Sequence, residues 1–151
     1  MNVLRYTGTK NTKRFWLFLF VNLSLTIPGI CQQDGYIAID NGVIHFKKFG
    51  NGEPLLIING GPGLDCEGFL HLAEMLSDSH MTILFDQRGT GKSRLSRVDS
   101  ATVTMDLMAS DIETLRRYLN INKWIILGHS FGGFLAEYYA VCFPESIRAM
   151  I

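Results

Sequence analysis

The chain has 151 residues, 47% hydrophobic and 19% charged, a balance that supplies one globular core and excludes a disordered chain or a disulfide scaffold. Lys and Arg number 14, as do Asp and Glu, so the net charge is zero. No basic footprint points to nucleic acid or an anionic membrane, and a neutral or small-molecule substrate is the expected partner.

Residues 1–31 have the pattern of an export signal. Arg5, Lys10, Lys13 and Arg14 form a basic head, and Phe15 to Ile27 an apolar stretch that ends at Pro28. That stretch is shorter than the roughly 20 residues needed to cross a bilayer, so the segment reads as a signal peptide cleaved after Gly29 or Cys31. An uncleaved N-terminal anchor is the alternative, and Ile30 before Cys31 argues against a lipid-modified cysteine. Both readings place the protein outside the cytoplasm, periplasmic or extracellular, with membrane contact only through an uncleaved segment.

Residues 32–151 read as one α/β domain. Tyr36 to Asp40 and Val43 to Lys47 flank Asn41-Gly42, a hairpin signal because both turn residues tolerate positive φ. Leu55 to Ile58 is an apolar run too short for a helix, as expected of a strand buried on both faces. A helix is predicted over Asp65 to Ser77 and a strand over Met81 to Phe85. The polar turn Asp86-Gln87-Arg88 opens the next loop. Thr104 to Leu119 is the clearest helix, with Leu107, Met108, Ile112, Leu115 and Leu119 on one face and Asp106, Asp111, Glu113, Arg116 and Arg117 mostly elsewhere. Trp124 to Leu127 is a third buried strand, Phe134 to Phe143 a helix, and Ser146 to Ile151 the start of a strand. Strand and helix alternate from Leu55 on, which calls for a parallel sheet with helices on both faces and the hairpin at one edge.

Of three cysteines, Cys31, Cys66 and Cys142, none sits in a C-x-x-C or at metal-ligand spacing, so no metal site is expected. Cys66 and Cys142 could pair in an oxidising compartment, but both fall in helical stretches and are expected as buried thiols.

Gly128-His129-Ser130-Phe131-Gly132 matches G-x-S-x-G between an apolar strand and a helix, the setting of a nucleophile elbow. Ser130 is the expected nucleophile. Gly128 and Gly132 remove side chains that would collide where helix crosses strand. The backbone N–H of Phe131 is one expected oxyanion donor. The other is expected from Gly60-Gly61-Pro62-Gly63 after the earlier central strand, with Gly61 the first choice and Gly60 the second.

Asn-Gly-Gly-Pro-Gly at 59–63, Phe-Asp-Gln-Arg-Gly-Thr-Gly-Lys-Ser at 85–93, Met-Asp-Leu-Met-Ala-Ser-Asp-Ile-Glu at 105–113 and Gly-His-Ser-Phe-Gly-Gly at 128–133 resemble the proline iminopeptidases of the α/β-hydrolase fold. The resemblance runs from about Tyr36 to Ile151. It implies release of N-terminal proline or a similar residue from short peptides through a serine acyl-enzyme, without metal or cofactor. The chain departs from it at Asn59, where such proteins often have His, and at the elbow, where they usually have Gly-Gly-Ser-Trp-Gly. Both departures bear on substrate preference.

The triad order of the fold is Ser, acid, His, yet after Ser130 there is no His or Asp, and the one acid is Glu145. His45, His71, His80 and His129 are expected to be structural or exposed: His80 enters its strand at the foot, and His129 should point away from Ser130. The acid and base are thus expected from none of these residues. The stop at Ile151 within an expected strand suggests a fragment of the fold's N-terminal half, inactive or nearly so alone, with a cap and the rest of the triad beyond it. Competing readings are an esterase or lactonase and a noncatalytic binding protein on a hydrolase scaffold. Gly89-Thr90-Gly91-Lys92-Ser93 resembles the end of a phosphate-binding loop but has Asp86 where that pattern needs glycine.

Overall fold

The computed structural model describes residues 31–151. All of the expected export segment before Cys31 lies outside the described residues. Seven strands form one mixed sheet: β1 (Cys31–Ile39), β2 (Gly42–Phe49), β3 (Glu53–Ile58), β4 (His80–Phe85), β5 (Arg94–Leu95), β6 (Trp124–Gly128) and β7 (Ile147–Met150). The helices are α1 (Leu70–Leu76), α2 (Met105–Tyr118) and α3 (Phe131–Cys142). None of the described helices is long and apolar enough to cross a membrane.

The sheet order is β1-β2-β4-β3-β6-β7, with β5 on β2. Asn41 takes a φ of 66° at the hairpin turn, and the paired β1 and β2 join β4 antiparallel, whereas β4, β3, β6 and β7 run parallel. The hairpin thus sits at one edge, as its sequence predicts. β3 is buried on both faces by alternation: Leu56 and Ile58 pack with Met108, Ile112 and Leu115 of α2 and with Leu135 and Tyr139 of α3. Leu55 and Ile57 belong to a smaller cluster with Ala73 of α1 and Cys66. From β3 the chain steps to β4 on one side and later to β6 on the other. Right-handed crossovers in opposite directions put α1 on one face and α2 on the other.

Three expectations change. The helix predicted over Asp65 to Ser77 starts late: Glu67–Phe69 is a single 3-10 turn, and regular α-helix begins at Leu70. The Asp65 carboxylate accepts the Glu67 N–H, a local turn that competes with helix. Second, Asp111 and Glu113 are buried. Periodicity assigns acids to solvent, but Asp111 meets Arg88, and Glu113 accepts from Arg116, Arg117 and the Tyr139 hydroxyl, donors that replace water. Third, both Cys66 and Cys142 are free thiols, and only Cys66 is buried, because Cys142 ends α3 at the surface.

Arg116 above all, then Arg117 and Tyr139, outweigh burial and hold the Glu113 carboxyl down at about 2, against an ordinary 4.5. A depressed carboxyl stabilises the fold above its unfolded pKa, and that contribution is lost as pH falls from 4.5 to about 2. Glu113→Gln should therefore flatten the acid limb of a plot of melting temperature against pH over that window. An unchanged slope would show that other carboxylates govern acid unfolding.

Candidate active site

The strand order reverses at β3, with β4 added on one side and β6 on the other, and the crevice outside the carboxyl ends of the strands at such a switch point is where α/β sheets bind ligands. Ile58 at the end of β3 lies beside Gly128 at the end of β6, so the loops that follow emerge together. The His129 N–H donates to the Ile58 carbonyl at 3.0 Å and ties them.

Ser130 stands between β6 and α3 at φ 54° and ψ −122°, a backbone region that costs a non-glycine residue on the order of 1–3 kcal/mol. Its surroundings hold it there. The Gly132 N–H bonds the His129 carbonyl at 2.8 Å, and the Gly133 N–H bonds the Ser130 carbonyl at 2.9 Å. The two elbow glycines are required by contact. A Cβ on Gly132 would sit 2.1 Å from the Ile58 carbonyl oxygen, and one on Gly128 would sit 2.6 Å from the Gly133 Cα. Phe131 is the first residue of α3, so its N–H has no partner within the helix and is free to donate at the site.

The glycine turn faces this elbow. A Cβ on Gly60 would lie 3.3 Å from Ser130 Cβ and 3.1 Å from the His129 ring, so the two loops pack closely here and a side chain at Gly60 would press on the elbow. Asn59, fully buried, fixes the turn by donating its side-chain amide to the Gly60 and Leu64 carbonyls, both at 3.0 Å. Gln87 in turn donates to the Asn59 carbonyl at 2.9 Å. The polar turn after β4 thus braces the glycine turn.

Asp86 anchors the same region. Its carboxylate accepts the Cys66 and Lys92 N–H groups, both at 2.8 Å, and meets His45 Nδ1 at 3.0 Å. Burial alone would raise the Asp86 carboxyl, but these donors outweigh it and hold it below its ordinary value. The Lys92 amide, which a phosphate-binding loop would offer to phosphate, is occupied by this carboxylate. His45, Cys66 and Asp86 bring ligand atoms within 4.8 Å of one another, the one grouping among the described residues with metal-binding donors. Their polar atoms are directed at each other: burial, then Asp86, push the Cys66 thiol up and keep it a protonated donor, and the other nitrogen of His45 meets Asp34 at 2.9 Å. The cluster reads as a hydrogen-bonded clamp on the loops.

Ser130, Gly60 and Gly61 line a pocket of about 400 Å³ together with Asn59, Leu64, Asp65, Phe69 and His129. His129 corrects one expectation, because its ring lines this pocket against Phe69, at 5.4 Å between centroids, instead of pointing fully away. The space left by the missing side chain of Gly60 admits it. Among the described residues no side chain hydrogen-bonds the Ser130 hydroxyl. His45 is buried in the Asp86 clamp, His71 lies in α1, and His80 sits opposite Glu53 at the foot of the sheet. Leu64, Asp65 and Phe69 are site residues the sequence did not announce: Asp65 and Phe69 fall where a helix was expected, and Leu64 lies just before it.

The family model described as "alpha/beta hydrolase fold" matches residues 53–151. A proline iminopeptidase of Heyndrickxia coagulans is 34% identical over 121 residues, covering 78% of this chain and 41% of that protein. The chain spans about two fifths of the length of the curated relatives it matches. Among solved structures, a proline iminopeptidase-related protein of Thermus thermophilus superposes with a TM-score of 0.67 at 27% identity, covering 78% of this chain and 43% of that one. An epoxide hydrolase of Vigna radiata gives 0.72 at 22% identity over 78% of this chain and 38% of that one, a likeness of fold alone.

Proposed function

Because the chain belongs to the α/β-hydrolase fold family, we propose that it is the nucleophile-bearing part of a serine hydrolase that removes N-terminal residues from short peptides through an acyl-enzyme. The observation that carries this reading is Ser130 at its strained turn, at the head of α3 and facing the Gly60-Gly61 turn. In the proposed reaction the Ser130 hydroxyl oxygen bonds to the acyl carbon and gives its proton to a base. The oxyanion is then held by the N–H of Phe131 and that of Gly61, with Gly60 as second choice. The amine of the cleaved peptide leaves with a proton, and water releases the acyl group.

The base and its acid partner come, in this reading, from outside the described residues, since no described histidine hydrogen-bonds the Ser130 hydroxyl. Relatives named proline iminopeptidase support the choice of peptide over ester. Export through residues 1–31 is part of the same proposal. A noncatalytic binding role is the second reading, favoured by the absence of a base beside Ser130 among the described residues. Prolyl and alanyl arylamides assayed against short-chain esters test the proposal on protein from its native source. Arylamide cleavage exceeding ester cleavage is the expected result, ester preference would make the protein an esterase, and hydrolysis of neither would favour the binding role.

A further inference from the structure

Asp65 is the one acidic side chain lining the Ser130 pocket, and no Lys or Arg lines it. Among the described residues no cation pairs with Asp65, whereas nearby Glu67 is engaged by Lys47 at 2.7 Å. The backbone on both sides of Asp65 is pinned. The Leu64 carbonyl accepts the Asn59 amide at 3.0 Å, and the Cys66 N–H donates to Asp86 at 2.8 Å. The carboxylate itself accepts the Glu67 N–H at 3.2 Å, which restricts its rotation and leaves lone pairs for a ligand. Beside it stand an apolar wall, Phe69 and the 64% exposed Leu64, and the glycine turn facing Ser130.

An unpaired, positioned carboxylate beside apolar surface suits a compact cation carried on an apolar frame. We infer that Asp65 is a specificity-determining residue that receives the protonated amine of an amino-acyl substrate while its carbonyl faces Ser130. The inference rests on the reading of Ser130 as the nucleophile, and it gives a reason on this chain's own residues for preferring amino-acyl compounds with a free N-terminus over neutral esters. A substrate with an acylated amine keeps the apolar contact and loses the charge pair. Because Asp65 is exposed, the pairing is screened by salt.

The test is the binding of L-prolinamide and N-acetyl-L-prolinamide, followed through the amide resonances of Gly60, Gly61 and Ser130. Binding needs no chemistry at Ser130, so a failure of the nucleophile reading, seen as no covalent labelling of Ser130, is distinguishable from a failure of this one. Prolinamide should bind about fivefold more tightly than its acetylated form at low salt, in the range of an exposed charge pair, with less preference at 1 M salt. Asp65→Asn should remove the preference and Asp65→Glu should retain it, the second variant separating charge from damage to the turn. Equal affinities in the unsubstituted protein, binding of neither compound, or a preference that survives in Asp65→Asn would overturn the assignment.

Discussion

Replacing Arg88 with Met should cost about 3–5 kcal/mol, the range for a buried ion pair that loses one partner. Arg88 is 2% exposed and Asp111 3% exposed, and two bonds of 2.7 Å join guanidinium to carboxylate. A third guanidinium N–H donates to the Thr102 carbonyl at 2.7 Å. Methionine fills much of the volume but leaves a carboxylate without a counter-charge and a carbonyl without a donor. Burial already pushes the Asp111 carboxyl above its ordinary value, and Arg88 is what pulls it back. Without Arg88 it should rise further. A carboxyl raised in the folded state contributes stability that is present in acid and lost as pH rises through its folded pKa, so the deficit should shrink as pH falls from 7 toward 5. Urea unfolding at the two pH values checks both statements. Arg88→Met combined with Asp111→Leu should recover much of the loss, because the stranded charge is then gone. A deficit under about 1 kcal/mol, the worth of an exposed pair, would contradict the structure here.

The second large effect is expected at Gly132. Its Cβ would stand 2.1 Å from the Ile58 carbonyl oxygen and 2.6 Å from that of Asn59, both backbone atoms of β3 and its loop, so no side-chain rotation relieves the clash. Gly132→Ala should destabilise by about 3 kcal/mol, the upper part of the overpacking range, by forcing α3 from the sheet. The shift would also part the Phe131 N–H from the Gly60-Gly61 turn, so reaction at Ser130 should fall even in molecules that remain folded. Gly133→Ala is the control. Its Cβ meets nothing closer than 3.6 Å, and it sits within α3, where alanine is favoured over glycine by up to about 1 kcal/mol. Denaturant midpoints that move alike in the two variants would mean that α3 does not press on β3 as described.

These two sites also mark where sequence reading succeeds and where it stops. Gly132 was legible because the elbow motif states a backbone requirement, and the apolar runs at Leu55 to Ile58, Met81 to Phe85 and Trp124 to Leu127 place the parallel strands by length alone. Arg88 was legible only as part of a polar turn. Its partner Asp111 lies 23 positions away on a helix whose periodicity assigns acids to solvent, and nothing local reveals that the two face each other inside. The same limit hid Glu113 and Tyr139. His129 falls to the same limit and Asp65 to a different one. The ring of His129 occupies space left by Gly60, a long-range contact, and Asp65 lies in a turn that apolar spacing extends into a helix. The four histidines can be counted in the sequence, and among the described residues none hydrogen-bonds the Ser130 hydroxyl.

The most direct test of the central claim, that Ser130 is an activated nucleophile, is covalent labelling of the protein from its native source with a fluorophosphonate. The Ser130 oxygen bonds to phosphorus as fluoride leaves. The tryptic peptide Trp124 to Arg148 contains both Ser130 and Ser146, so fragment ions must place the added mass. The account predicts an adduct on Ser130 alone, absent from Ser130→Ala. No adduct, or one on Ser146 or elsewhere in the chain, would contradict it.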